Sequence, residues 1–261
     1  MSEAGAAASV LELSFQMGET LLENGAEISR VQETMERVAK AYHAEEFNVY
    51  VLTNAVFAGG KENGVEKRME LKHVPSSSIH FGRICAVNQL SREIAEGKHS
   101  VEEAFAILEK IRSLPYSSLP LAIFACAVGS AAFSYLFGGS GWDALTAFCC
   151  GLVLEPFLHW TGKHKFSKFL TNLSASALVT LCGAVLLLLG LGQNLDKIII
   201  GSIIRLVPGV ALTTSIRDFF NGDYLSGTIR MIDAVLVGGC IAVGVGVVVR
   251  LLSPLLGGAL L

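Results

Sequence analysis

Between Ile198 and Asp233 the chain reads IIIGSIIRLVPGVALTTSIRDFFNGDYLSGTIRMID, which sets Arg205, Arg217, Asp218, Asp223, Arg230 and Asp233 inside or beside two long apolar runs. Charge at bilayer depth is costly unless it faces a partner or a wet cavity, so an ionisable residue there points to function. Arg205 carries the strongest signal, because it stands about one turn before Pro208-Gly209. Proline removes one backbone donor and crowds the carbonyl four residues earlier, which breaks or kinks a helix. Irregular backbone is tolerated at membrane depth only when buried in protein or lining a water-filled cavity, and Gly/Pro-interrupted spans mark solute sites in transporters. The side chains suit such a site. Arg205 or Arg217 can hold a carboxylate, Thr213 and Thr214 can hydrogen-bond a hydroxyl, and Asp218, Asp223 or Asp233 can carry a proton or an ammonium group. Asp233 is the expected counter-ion of Arg205, with Arg230 competing for it from three residues upstream. Glu155 and His159 lie one turn apart in another apolar run, close enough to share a proton. Taken singly, Arg217, Asp218, Asp223 and Arg230 also fit a solvated loop.

Five apolar runs must position these groups: 119–137, 144–160, 169–191, 198–216 and 231–252. Each approaches the ~20 residues that a spanning helix needs. Lys163, Lys165 and Lys168 crowd the second link, and Arg217 and Arg230 bracket the one after the fourth run, whereas the first link has no Lys or Arg and the third only Lys197. The positive-inside rule places the two basic links in the cytoplasm, with the N-terminus inside and the C-terminus outside. In the last run Ala234, Gly238, Ala242 and Gly246 recur every four residues, a small-residue face that admits another backbone closely.

Upstream, residues 1–114 alternate charge with helical and strand patterns. Val10, Leu13, Met17 and Leu21 form a helical stripe that stops at Asn24-Gly25. Ile28, Val31, Met35, Val38 and Tyr42 form a second. Residues 47–57 read as a strand interrupted near Thr53-Asn54, Asn63-Gly64 as a hairpin turn, and 65–74 as the returning strand. A helix over 79–96 and another opened by the capping-box spacing of Ser100 and Glu103 complete an α+β domain. The expected fold is thus an α-helical integral membrane protein with five transmembrane helices over 119–252, the fourth interrupted. A cytosolic α+β domain precedes it, with a linker at 115–120 and a short extracytoplasmic tail at 253–261.

The chain is 52% hydrophobic with a mean hydropathy of +0.54, too apolar for a soluble protein. Residues 1–118 hold 12 Lys and Arg against 17 Glu, and the remainder 8 against 6 acids. Neither part has the basic patch that nucleic acid requires. The N-terminus lacks the basic and apolar segments of a signal peptide. Six cysteines without CxxC spacing and six histidines without HExxH pairing predict no metal site and no cofactor. The front region has no GxSxG, no P-loop and no Asp, which argues against an enzyme. A membrane-anchored sensor with a ligand-binding cytosolic domain is the alternative to a transporter, but a simple anchor has no need of charges around a broken span.

The segments LLENGAEISRVQETMERVA, GRICAVNQLSREIAEGKHSVEEA and above all RLVPGVALTTSIRDFFNGDYLSGTIRMIDA resemble the threonine/serine exporter family over nearly the whole chain. The likeness is greatest to the longer subunit of its split members, in which a separate small membrane subunit completes the transporter. The resemblance implies secondary export of small amino acids or related carboxylates, driven by the proton gradient, from the cytoplasmic membrane. The expected partners are the small-molecule substrate, the lipid bilayer, and a second small membrane subunit or further copies of the chain. Position by position it highlights Glu19, Gly25, Glu27, Arg30 and Asn88 in front. Behind, it highlights Pro208, Gly209, Thr213, Arg217, Asp218, Gly222, Asp223, Gly227 and Arg230.

Overall fold

The computed structural model describes residues 9–62, 65–71 and 79–256, which divide into two compact units, Met1–Tyr116 and Ser117–Leu261. In the first, α1 (Val10–Glu23) and α2 (Ile28–Ala41) are joined at Asn24-Gly25. Gly25 takes φ +82°, the left-handed conformation that ends a helix without Cβ strain. The apolar stripes face each other: Leu13, Met17, Leu21, Ile28, Val31, Met35 and Val38 are all buried in one core.

The single interrupted strand expected at 47–57 is instead a hairpin. Strands β1 (Glu45–Leu52) and β2 (Ala55–Glu62) pair antiparallel, with Leu52 opposite Ala55, so Thr53-Asn54 is the turn itself. Strand β3 (Val65–Leu71) pairs with β2 in the order β1-β2-β3. Asn63-Gly64 and the end of the expected returning strand lie outside the described residues. Phe47, Val49 and Val51 turn inward while Asn48 and Tyr50 face out, the period-2 pattern of a sheet with one covered face. Helices α3 (Phe81–Ala95) and α4 (Val101–Arg112) close the core through Val87, Leu90, Ile94, Ala104 and Leu108. The capping box forms as its spacing predicts: Glu103 N–H donates to Ser100 Oγ at 3.3 Å and Ser100 N–H to Glu103 Oε2 at 2.9 Å.

The second unit contains α5 (Leu119–Leu136), α6 (Gly141–Lys163), α7 (Lys168–Leu188), α8 (Leu195–Ile203), α9 (Gly209–Phe220) and α10 (Tyr224–Leu256). Four of these, α5, α6, α7 and α10, are long and apolar enough to cross a membrane. This is the architecture of a helical membrane protein. The fourth apolar run differs from the uninterrupted length of its neighbours, because it divides into α8 and α9. At a rise of 1.5 Å per residue neither half reaches the ~30 Å of a hydrocarbon core. Pro208 is the cause. It has no N–H to give Ile204, whose carbonyl accepts instead from Val207 at 3.3 Å, and α9 restarts when Leu212 donates to Pro208 at 3.0 Å.

Two polar clasps align the ends. Asp143 is fully buried, and its Oδ1 accepts from the Gln193 and Asn194 amides at 2.6 and 2.9 Å. Its Oδ2 accepts from Asn194 Nδ2, Ser140 N and Ser140 Oγ at 2.8–2.9 Å. The α5–α6 and α7–α8 links therefore meet at one end. At the other, Lys168 pairs with Asp233 and joins the start of α7 to α10.

Candidate functional site

The break between α8 and α9 presents Arg205 in a turn, where its Nε lies 3.5 Å from Oε2 of Glu155 on α6. The counter-ion expected for Arg205 was Asp233. The structure assigns Glu155 instead, because Lys168 at the head of α7 already holds Asp233. Glu155 is eight residues from Lys163, so it lies ~12 Å inside the end of α6. Its side chain is 14% exposed, whereas that of Arg205 is 57% exposed. The approach lacks hydrogen-bond geometry, and Oε2 is a buried atom with no hydrogen-bond partner. Among the described residues no hydrogen bond engages the Arg205 guanidinium, so its N–H groups remain available for a ligand.

Each member of this pair stands within one turn of a proline. Pro156 follows Glu155 inside α6, where it removes the bond that its own N–H would give to Leu152, and Pro208 follows Arg205. Cys126 and Ser130, one turn apart on α5, complete the surroundings, with the Cys126 thiol beside the Glu155 carboxylate. The hydroxyls of Ser130 and Ser134 are buried with no hydrogen-bond partner. His159 is exposed, and no hydrogen bond or ion pair joins it to Glu155; the shared proton expected from their spacing has no contact behind it.

The remaining charges are sorted separately. Asp218 near the end of α9 is buried, with Oδ2 3.5 Å from Arg230 Nε on α10. Arg217 is exposed at the same helix end, and Asp223 sits in the α9–α10 turn, where its amide donates to Asp218 O at 2.9 Å and its carbonyl accepts from Gly227 N at 2.9 Å. Gly222 in that turn has φ +85°. The Thr213 and Thr214 hydroxyls donate back to carbonyls of α9, Thr213 to Gly209 and Val210, Thr214 to Val210 and Ala211. Only their lone pairs are left for a ligand. Asp218, Asp223, Arg230 and Asp233 therefore belong to clasps and turns of the unit.

An apolar groove of about 1080 Å³ runs between α8–α9 and α10, lined among others by Ile199, Val207, Pro208, Gly238, Ala242 and Gly246. A Cβ added at Gly238 or Gly246 would meet nothing within 4 Å. The close approaches inside the unit are elsewhere: a Cβ at Gly201 would lie 2.6 Å from Ser130 O, and one at Gly244 2.4 Å from Leu173 O.

In the first unit Glu19 accepts from Arg112 Nη2 at 2.9 Å, and Asn88 Oδ1 from Thr34 at 3.4 Å. Gly25 abuts Ile79, Glu27 occupies the N-cap of α2, and Arg30 is exposed on that helix. Sequence reasoning missed Asp143, Pro156, Cys126, Ser130 and Lys168. The first two had signals, in the Ser140-x-x-Asp143 capping spacing and in an acid followed by proline within an apolar run.

The ThrE family model, described as a threonine/serine exporter, matches residues 12–252. The chain is 27% identical to the "Threonine/serine exporter" of Corynebacterium glutamicum, over 94% of this chain and 51% of that protein. To the "Probable threonine/serine exporter" of Mycobacterium tuberculosis it is 22% identical, over 92% and 46%. To the "Probable succinate transporter subunit YjjP" of Escherichia coli it is 25% identical, over 93% of both chains. The chain thus spans about half the length of the two exporters. No solved structure matches it.

Proposed function

The chain belongs to the threonine/serine exporter family, and on that premise we propose that it is a subunit of a secondary transporter, rather than an enzyme, that exports small amino acids or related small carboxylates in exchange for protons. The observation that carries this reading is the Glu155–Arg205 pair at a broken helix, ~12 Å from the end of α6. A guanidinium with uncommitted donors binds carboxylate, and the neighbouring acid offers a place for a proton. In this reading α8 and α9 together make the fourth of five crossings. The Lys163–Lys168 link and the α9–α10 turn face the cytosol, as does the first unit, and the C-terminal end of α10 lies outside. The pairing of Lys168, at the start of α7, with Asp233, in the third turn of α10, supports one shared side.

A second membrane subunit, or a further copy of the chain, completes the pathway. Support comes from the length of the two exporters, about twice that matched here, and from the open small-residue groove. Efflux from vesicles loaded with labelled threonine, serine or succinate, prepared with and without the candidate second subunit, tests the reading. Gradient-driven loss of one of these solutes is the expected result. No movement of any of them under either condition would refute it.

A further inference from the structure

The pair at the helix break also bears on which solute it accepts and how a proton is coupled, an inference that rests on the transport reading above. The site offers one cation and one anion side by side, Arg205 Nε and Glu155 Oε2 at 3.5 Å. A dicarboxylate placed on Arg205 would bring its second carboxylate towards that of Glu155, and like charges at such range repel. A zwitterion has the complementary order: its carboxylate meets the guanidinium, and its ammonium, one carbon away, meets the acid.

We propose that Glu155 is the residue that selects an α-amino acid over a dicarboxylate and couples its export to protons, by holding the substrate ammonium and a proton in alternation. On the cytosolic side the amino acid parts the ion pair, carboxylate to Arg205 and ammonium to the Glu155 carboxylate, which must be deprotonated to receive it. After the amino acid leaves outside, Glu155 accepts a proton from external water and the carrier returns with that proton. The next amino acid displaces it into the cytosol. One neutral zwitterion leaves for each proton that enters, so the inward proton gradient drives export.

The surroundings leave Glu155 as the one acid paired with Arg205 among the described residues. From α5 it faces Cys126, which also neighbours Ser130, and from the break Arg205. Along α6 the next ionisable group, His159, is exposed. The charged side chains of α7 and of the first turns of α10 are committed elsewhere, Lys168 to Asp233 and Arg230 to Asp218. Asp143 already accepts five hydrogen bonds.

Everted membrane vesicles from the native host overproducing the full chain provide the test, with labelled threonine and succinate as probes and an imposed pH gradient. Wild type should accumulate threonine in preference to succinate, with strong stimulation by the gradient. In Glu155→Gln the stimulation should vanish, because the amide cannot carry the proton. Threonine affinity should fall about tenfold or more, as expected for loss of a charge-assisted hydrogen bond, and succinate should gain relative to threonine. Glu155→Asp, which keeps the charge, should retain gradient stimulation, and equal membrane abundance and thermal midpoints would separate these effects from misfolding. Gradient-stimulated threonine uptake by Glu155→Gln equal to wild type would overturn the proposal while leaving the transport reading intact. So would a wild-type preference for succinate. Movement of neither solute by wild type would instead overturn the transport reading itself, and this inference with it.

Discussion

At the scale of single residues, chemistry depends on which charges are committed. Arg205 faces a carboxylate without hydrogen-bonding to it, whereas Asp233 is clasped to Lys168. Arg205→Leu should therefore abolish efflux at unchanged membrane abundance, and normal efflux in that variant would make the residue structural. Asp233→Asn removes a partly exposed pair of the kind that contributes up to about 1 kcal/mol, so it should lower the melting midpoint slightly and leave transport near wild type. Burial, and next the neighbouring Glu19, push the Glu23 carboxyl above its ordinary value of 4.5, against the opposing pull of Arg112 and Arg83. Between the unfolded and folded values the folded state holds more proton, so this group's contribution is favourable below the unfolded value and is lost as pH rises through the folded one. Glu23→Gln should raise the stability of the first unit at pH 7.5 and leave it nearly unchanged at pH 4, measured by amide exchange in α1. Equal shifts at both pH values would show that packing, not ionisation, is responsible.

Elements were legible where one side chain dictates the backbone. The stop at Gly25, the Ser100 capping box and the break at Pro208 all follow from conformational or donor constraints local to the chain. Partners across the bundle were not, because which helix faces Arg205 depends on rotations that no single run encodes. Proximity in sequence favours Asp233, whereas Glu155 lies fifty residues upstream on another helix and its own run does not point to Arg205. Asp143 accepts five hydrogen bonds and joins α6 to the 190–194 link, and its capping distance from Ser140 hinted at only half of that role. Asp143→Ala leaves the amides of Gln193 and Asn194 without their carboxylate acceptor, and a hydrogen bond to a charged group contributes about 1.5–3 kcal/mol. The variant should lose several degrees or more of thermal midpoint in detergent, and a midpoint within one degree of wild type would show that water replaces the carboxylate at no cost.

For the whole molecule, the small residues of α10 divide into two sets with different jobs. Gly244 lies against the α7 backbone and Gly201 of α8 against that of α5, so a larger side chain at either must push main chains apart. Gly238 and Gly246 open on the groove beside α8–α9, where an added Cβ meets no atom of the described residues within 4 Å. The every-fourth-residue pattern thus leaves a face of close approach, which a helix of a second subunit or of another copy would occupy in the proposed assembly. Bilayer offers no hydrophobic force between helices, so association there depends on close van der Waals packing, which small residues allow and leucine prevents. Gly201→Leu and Gly244→Leu should therefore reduce folded protein in the membrane. Gly238→Leu and Gly246→Leu should leave abundance and melting of the isolated chain unchanged, yet lower the mass of the native complex and the efflux that depends on it. Mass measurement in mild detergent decides the matter: a full-sized, fully active complex containing both groove substitutions would mean that this face is covered by lipid alone.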